Sequence, residues 1–264
     1  MAAEATNPPE PVTIRSSGGA ELHGRLIRSS TADRRKSVAV LFLHGFPSAD
    51  LWADKIGNDL TELCERIAAD QQWNALTIHF RGCGESTGDF SLTRWVDDAS
   101  AAIRFLRAET NPTGLWVCGF GTGGAVGLVA AAEDPAVSGV AVAASPADFD
   151  DWAARPERLL GHAREVGVIT SPGFPKNQER WNAELKEVRA VEAAEQLTPR
   201  PLLVLHGSED EAVPHFDARM VADAHGGADL RFIHGAGHDL RHDPRAVAVL
   251  LGWLNRQSVE LSER

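Results

Sequence analysis

The sequence predicts an α/β fold with a mostly parallel, doubly wound sheet of eight strands, and two observations lead to that prediction. Short apolar runs alternate with amphipathic helical stretches, which is typical of parallel strands joined by crossover helices. The clearest run, Val-Ala-Val-Leu-Phe-Leu at 38–43, has no polar residue, as expected for a strand buried on both faces. With 264 residues, the chain is long enough for one large domain of this class.

The elements follow from periodicity and from turn residues. A Ser-Ser-Gly-Gly-Ala-Glu turn separates the first two strands, so we expect them to pair as a hairpin. Strands are predicted at 12–15, 22–28, 38–43, 73–80, 115–118, 137–144, 202–205 and 230–233. Helices are predicted at 51–70, 92–107, 122–132, 152–166, 178–195, 215–225 and 244–256.

The segment 146–197 interrupts this alternation, because it has no clear strand and is too long for a plain loop. We expect a small helical cap over the carboxyl ends of the strands, where α/β folds bind ligands. The core then comprises 12–145 and 198–257, between a loose tail at 1–11 and another at 258–264. The aromatic residues of the cap either line a pocket for an apolar acyl group or form the core of the cap: Phe149, Trp152, Phe174 and Trp181.

Composition excludes several classes of partner. The formal net charge of −11 disfavours nucleic acid and anionic membranes, because an acidic surface repels both. The N-terminal residues lack a basic start and an apolar core, and no apolar run is long enough to span a bilayer. Three widely spaced cysteines suit a reducing cytoplasm. We therefore expect a cytoplasmic protein with a small-molecule substrate or ligand, no metal and no other cofactor; the oligomeric state stays open.

A glycine-rich turn at 117–124, Val-Cys-Gly-Phe-Gly-Thr-Gly-Gly, joins a predicted strand to a predicted helix. In the nucleophile elbow Gly-x-Ser-x-Gly, the middle position carries the attacking hydroxyl. Here that position is Gly121, which has no side chain. Such a turn strains its middle residue by about 1–3 kcal/mol when that residue has a side chain. Glycine relieves the strain, so the sequence predicts the turn without its nucleophile.

Other motifs also follow predicted strands, in a fixed order. These are H-G-F-P at 44–47, R-G-x-G-x-S-x-G at 81–88, G-x-x-D-x-x-V-P at 207–214 and G-A-G-H at 235–238. As a set they resemble the α/β-hydrolase superfamily, in the style of its serine-aminopeptidase-like and acyl-hydrolase branches, over 12–257. Two positions depart from the pattern: Gly121 replaces the serine, and His79 stands where many relatives have Asp.

The resemblance implies a site. Asp210 is the expected acid of the triad and His238 the expected base. The backbone N–H groups of Phe46 and Thr122 are expected to form the oxyanion hole. An acid and a histidine in this order would fix the histidine tautomer and leave one basic nitrogen facing the pocket.

The remaining chemically capable residues have plainer interpretations. His44 and His206 each follow a buried strand within a His-Gly pair and are expected to be structural. Side-chain attack by Thr122 or by Cys83 is a minor alternative, and Cys118 is expected in the core. The glycines of the elbow lack the G-x-G-x-x-G spacing of a dinucleotide site, so no nicotinamide cofactor is expected.

Three hypotheses about function follow. In the first, His238, oriented by Asp210, activates water or takes a proton from a small carbonyl, ester or amide compound. In the second, the protein is an inactive pseudo-hydrolase that binds a small ligand. In the third, Gly121 is an engineered replacement for the serine of a hydrolase.

Overall fold

The protein is described from a computed structural model that covers residues 7–30, 37–48 and 51–262, with only the backbone described at 260–262. Residues 1–6 of the predicted N-terminal tail and residues 263–264 of the predicted C-terminal tail lie outside this range. Within it, no helix is both long and apolar enough to cross a membrane.

One sheet of eight strands forms the centre of the molecule, in the spatial order β1-β2-β4-β3-β5-β6-β7-β8. Its strands are β1 (Glu10–Arg15), β2 (Glu21–Ile27), β3 (Val38–Leu43), β4 (Asn74–Ile78), β5 (Gly114–Phe120), β6 (Gly139–Ala143), β7 (Leu202–Gly207) and β8 (Asp229–Ile233). The pairs β1–β2 and β2–β4 are antiparallel, and every later pair is parallel. The predicted fold class, including the hairpin at the start, is confirmed.

Helices cover both faces of the sheet. They are α1 (Leu60–Gln71), α2 (Leu92–Thr110), α3 (Thr122–Glu133), α4 (Asp150–Ala154), α5 (Pro156–Glu165), α6 (Gln178–Glu184), α7 (Ala190–Leu197), α8 (His215–His225) and α9 (Pro244–Ser262). The buried residues of α2, α3, α7 and α8 share one apolar cluster, and those of α1 and α9 share another. The fold is therefore doubly wound.

Strand β3 shows why an uninterrupted apolar run predicts a strand that is buried on both faces. All six of its residues are buried. Ala39, Leu41 and Leu43 enter the cluster beneath α2 and α3, whereas the alternate residues enter the cluster beneath α1 and α9. Because successive side chains of a strand point to opposite faces, an uninterrupted apolar run fits only a strand covered on both sides.

Several element boundaries differ from the predictions for local reasons. The first helix begins at Leu60 rather than at residue 51, after a series of turns that includes Gly57 at φ +81°. A Cβ at Gly57 would lie 2.9 Å from the His44 ring, which is too close for a side chain. Glycine therefore suits this position for its positive φ and for the space available. Strand β1 starts two residues inside the predicted tail, and α9 continues through 258–262, which the sequence assigns to the other tail.

The segment 146–197 contains four helices where the sequence predicts two. The first break falls at Arg155, whose φ of −140° and ψ of 56° are not helical. Pro156 explains this break, because a proline disfavours the helical conformation of the residue before it. It also suits the first position of α5, where no intrahelical partner is needed for a backbone N–H. The second break separates α6 from α7.

Candidate active site

The elbow forms as the sequence predicts. Strand β5 ends at Phe120 and α3 begins at Thr122, so Gly121 alone makes the turn, with φ +53° and ψ −129°. Residues with a side chain rarely adopt this conformation. The Gly121 N–H donates to the carbonyl of Ala143 at 2.9 Å, and its own carbonyl accepts from the N–H of Gly124 at 3.0 Å. These bonds fix the turn between β6 and the first turn of α3.

The position of the missing side chain is open. A Cβ built on Gly121 would lie 3.5 Å from Nε2 of His238 and 3.6 Å from the Cα of Gly45. Both distances are ordinary van der Waals contacts, so no residue in the described part of the chain fills the place of the nucleophile. Nε2 of His238 therefore faces the space that a side chain at position 121 would occupy.

His238 and Asp210 form a hydrogen-bonded pair. Nδ1 of His238 lies 2.9 Å from Oδ2 of Asp210 and 3.2 Å from Oδ1. Because a carboxylate only accepts, Nδ1 carries the proton and the lone pair of the neutral ring is on Nε2. The Asp210 side chain is fully buried, whereas 40 % of the His238 side chain is exposed. The basic nitrogen thus faces both Gly121 and an open edge of the molecule.

A tight turn holds the Asp210 carboxylate. Its Oδ1 accepts the N–H groups of Ala212 and Val213, each at 2.9 Å. Burial raises the pKa of Asp210, but the hydrogen bond from His238 and these two N–H groups outweigh it, and the net pKa is lowered. The carboxylate is therefore ionised at neutral pH and can stabilise a positive charge on His238.

His206 lies behind this turn and is fully buried. Its Nε2 is 3.0 Å from the carbonyl of Val213, which only accepts, so Nε2 carries a proton. The same nitrogen lies 3.5 Å from Oδ2 of Asp210. Its Nδ1 has no hydrogen-bond partner among the described residues. The structural role expected for His206 fits this burial, but its contact with the acid was not predicted, although the two residues are four apart.

The two expected oxyanion donors lie beside the elbow. A Cβ on Gly45 would be 3.2 Å from the carbonyl of Phe120 and 3.7 Å from the Cα of Gly121, so the turn carrying Phe46 packs on the elbow. Thr122 is the first residue of α3, where backbone N–H groups have no intrahelical acceptor. In the described part of the chain, neither the Phe46 nor the Thr122 N–H finds an acceptor. Both remain available to a ligand.

His44 is locked in the core. Its Nδ1 lies 2.7 Å from the carbonyl of Gly45, and its Nε2 accepts the N–H of Phe80 at 3.1 Å. Burial, together with the neighbouring His79, lowers the pKa of His44 to about 3. With both nitrogens occupied, His44 is a neutral structural histidine, as its place in a His-Gly pair suggests.

The other candidate nucleophiles are inaccessible. Cys83 is fully buried, and burial raises the pKa of its thiol well above the usual value. Cys118 and Thr122 are also buried. The R-G-x-G turn that contains Cys83 is anchored by Arg81, which pairs with the buried Asp98 at 2.6 Å. Within the described residues, no group of three or more His, Cys, Asp or Glu is arranged to hold a metal ion.

The aromatic residues of 146–197 divide between two roles. Phe149 and Trp181 are each only 3 % exposed, and Trp181 donates through Nε1 to the carbonyl of Phe90 at 3.2 Å. They serve as core between this segment and the rest of the protein. Trp152 is partly exposed and lines a cavity of about 590 Å³. Phe174 is partly buried and packs against the apolar cluster that contains Phe149 and Trp181.

Comparison with known proteins gives the class to which this fold and site correspond. The profile of a family described as "Alpha/beta hydrolase family" matches residues 40–250. The chain belongs to the alpha/beta hydrolase family. A curated relative, the uncharacterized protein YfhR of Salmonella typhimurium, is 25 % identical over 219 residues, which span 79 % of this chain and 67 % of YfhR.

Solved structures of hydrolases share the architecture. Est1E from Butyrivibrio proteoclasticus, solved with ferulic acid bound, superposes with a TM-score of 0.72 at 19 % identity, covering 96 % of this chain and 100 % of Est1E. The Pyrococcus furiosus esterase Pf2001 gives 0.66 at 17 % identity, covering 94 % and 92 %. The alpha/beta hydrolase GrgF from Penicillium sp. sh18 gives 0.69 at 18 % identity, covering 97 % and 99 %. At these identities the likeness establishes the fold.

Proposed function

We propose that the protein is a serine-less hydrolase that cleaves a small ester, amide or related carbonyl compound with water activated by His238. The observation that supports this most directly is the 3.5 Å between Nε2 of His238 and the open side-chain position of Gly121. A basic nitrogen steered by a buried carboxylate faces that space, next to two free backbone N–H groups. Membership of the alpha/beta hydrolase family supports the general class of reaction.

The proposed reaction proceeds in two steps. Nε2 of His238 takes a proton from water as the water oxygen attacks the substrate carbonyl, and the N–H groups of Phe46 and Thr122 bind the developing oxyanion. Asp210 stabilises the imidazolium that forms. The tetrahedral intermediate then collapses, and the imidazolium returns its proton to the leaving alcohol or amine. One water and one ester or amide become an acid and an alcohol or amine.

The magnitudes permit slow turnover without an acyl-enzyme. Loss of a nucleophilic serine costs on the order of 10⁶ in turnover. An oxyanion hole and substrate binding alone still give about 10³–10⁴-fold acceleration over water. We therefore expect steady hydrolysis of activated substrates with no initial burst, because no covalent intermediate accumulates.

We also propose that the helices of 146–197 act as a cap over the site, with Trp152 at the edge of a substrate cavity. The free, buried Cys64, Cys83 and Cys118 suit a reducing compartment, so we place the protein in the cytoplasm.

The open position at Gly121 also favours a second candidate function, a binding protein that holds a small carbonyl ligand without turning it over.

A panel of p-nitrophenyl esters and anilides separates the two candidates. We expect measurable hydrolysis by the wild type, background rates for His238→Ala and strongly reduced rates for Asp210→Asn. His234→Ala removes an exposed histidine from the same loop region and should keep the wild-type rate. Equal rates for the wild type and His238→Ala would contradict the proposed hydrolase. A ligand-dependent rise in melting temperature without product would favour the binding protein.

A further inference from the structure

The cavity beside Trp152 lies along the bend between α4 and α5. Arg155 is non-helical because Pro156 follows it, and the chain therefore changes direction between the two helices. The cavity, of about 590 Å³, lies along this bend and has a mixed lining: Asp151, Trp152, Arg155, Arg158, Leu159, His162 and Glu165. Neither Gly121 nor His238 lines it, so it is a separate compartment from the elbow.

Phe46 connects this cavity to the proposed catalytic site. Its ring centroid lies 5.2 Å from that of Trp152 and 6.0 Å from that of His162, and both of those residues line the cavity. The backbone N–H of the same Phe46 is a proposed oxyanion donor. A substrate whose carbonyl binds at that N–H therefore needs to extend only past the Phe46 ring to reach the cavity.

Two guanidinium groups of the lining are unpaired. Among the described residues, neither the Arg155 nor the Arg158 side chain has a hydrogen bond or an ion pair, and both residues are exposed. By contrast, Arg189 of the same segment is within 4 Å of Asp148, Asp150 and Glu192. In a chain of net charge −11, two adjacent arginines left without carboxylates are available for an anionic ligand.

The bend explains why Arg155 is free. Asp151 stands four residues before it, a spacing that pairs side chains on a continuous helix. Because α4 ends at Ala154, the two side chains do not meet as an ion pair. At the other end of the cavity, Glu165 approaches Nδ1 of His162 at 3.9 Å. The lining of the cavity thus carries two guanidinium groups, of Arg155 and Arg158, and two carboxylates, of Asp151 and Glu165.

We infer that the substrate of this site carries one carboxylate on an apolar body. The inference rests on the proposed function for the position of the scissile carbonyl. Trp152 and Leu159 supply an apolar wall, and the guanidinium groups of Arg155 and Arg158 supply N–H donors for a carboxylate. Asp151 and Glu165 in the same lining balance the charges of the two arginines, so the lining has no surplus positive charge that would favour a doubly charged group. A monocarboxylate therefore fits better than a phosphate.

Calorimetric titration of the wild type with 4-phenylbutyrate and with its neutral isostere 4-phenylbutyramide tests this inference without requiring turnover. We expect the carboxylate to bind about tenfold more tightly or better, as for a charge-assisted pair replaced by a neutral amide. The double variant Arg155→Gln/Arg158→Gln should lose this preference. The control Arg15→Gln/Arg104→Gln removes the same charge from exposed arginines on β1 and α2 and should keep it.

The outcomes separate this inference from the proposed function. Equal binding of acid and amide, no binding of either, or an unchanged preference in Arg155→Gln/Arg158→Gln overturns the inference, even if the wild type hydrolyses esters. If the preference is present and lost in that double variant, the inference stands, even if no ester is hydrolysed. In an esterase-active Gly121→Ser background, mono-p-nitrophenyl glutarate should also be preferred over p-nitrophenyl valerate, and the same double variant should remove that preference.

Discussion

His44 and His238 are the same residue type at the same edge of one sheet, yet only one of them can do chemistry. His44 follows β3, is fully buried and has both ring nitrogens in hydrogen bonds. His238 follows β8 and is partly exposed; among the described residues its Nδ1 is bonded by Asp210, and its Nε2 has no hydrogen-bond partner. A histidine is available as a base when one nitrogen is fixed by a carboxylate and the other has no partner in the protein.

The position of each strand in the sheet explains the difference. Strand β3 is central, between β4 and β5, so the loop that follows it is covered by neighbouring loops on both sides. Strand β8 is the last strand of the sheet, and four of its five residues are partly or fully exposed. The loop after β8 therefore reaches solvent, and its histidine remains accessible.

The largest effect is expected where His238 meets Gly121. Gly121→Ser places a hydroxyl within reach of Nε2, because a Cβ there already lies 3.5 Å from that nitrogen. We expect the turnover of p-nitrophenyl acetate to rise by at least about 10³-fold, toward the roughly 10⁶ that a nucleophilic serine contributes. A burst of p-nitrophenol should appear as the acyl-enzyme forms.

Gly121→Ala is the matched control, because it imposes the same backbone strain without the hydroxyl. Its rate should stay near that of the wild type. The gain in Gly121→Ser should disappear when His238→Ala is added. A folded Gly121→Ser protein without increased esterase activity would show that His238 is not placed to activate a hydroxyl there.

The sequence predicts those parts of the molecule that depend on local pattern. The apolar run of β3 determines its burial on both faces, and α8 spans the predicted residues 215–225. The order of Asp210 and His238 after their strands predicts the pair that the structure joins at 2.9 Å. Nearby residues carry the information for the strand and the helix, whereas the pair, 28 residues apart, was expected from the order of the motifs.

Contacts between distant residues that belong to no recognised motif order were not predicted. Asp98 accepts hydrogen bonds from Arg81, seventeen residues away, and nothing in the local pattern indicates that pairing. Gly57, in the turns that precede α1, packs against the ring of His44, and the sequence pattern does not indicate that contact either. The break before Pro156 is different, because the rule for residues preceding proline contains the signal, which the periodicity of 152–166 obscured.

A second prediction concerns the buried histidine. A lowered pKa means that folding excludes the proton from His44, so its contribution to stability is complete above the ordinary pKa of 6.5. That contribution is lost as the pH falls from 6.5 towards about 3, because only the unfolded chain takes up the proton. The slope from this residue is at most about 1.4 kcal/mol per pH unit.

Urea unfolding of the wild type and His44→Gln between pH 7 and pH 4.5 measures this contribution. At pH 7, His44→Gln should be less stable by about 1–3 kcal/mol, because one of two buried hydrogen-bonding partners is left unmatched. Towards pH 4.5 the difference should narrow, since the variant has no imidazole to protonate. Parallel curves for the two proteins would contradict the exclusion of the proton from His44.

The smallest effect is expected at His206, which shares features of both histidines: it is as buried as His44, yet it lies 3.5 Å from the acid that serves His238. Its Nε2–H donates to the carbonyl of Val213, and the N–H of Val213 donates to Asp210.

In the Gly121→Ser background, we expect His206→Leu to lower kcat about tenfold with little change in KM. This loss is far smaller than the roughly 10⁴ expected for loss of the acid's charge. His206→Gln retains an N–H donor and should recover most of the rate. If His206→Leu and His206→Gln lose kcat equally while both remain folded, the hydrogen bond to Val213 does not position the acid, and packing alone explains the place of His206.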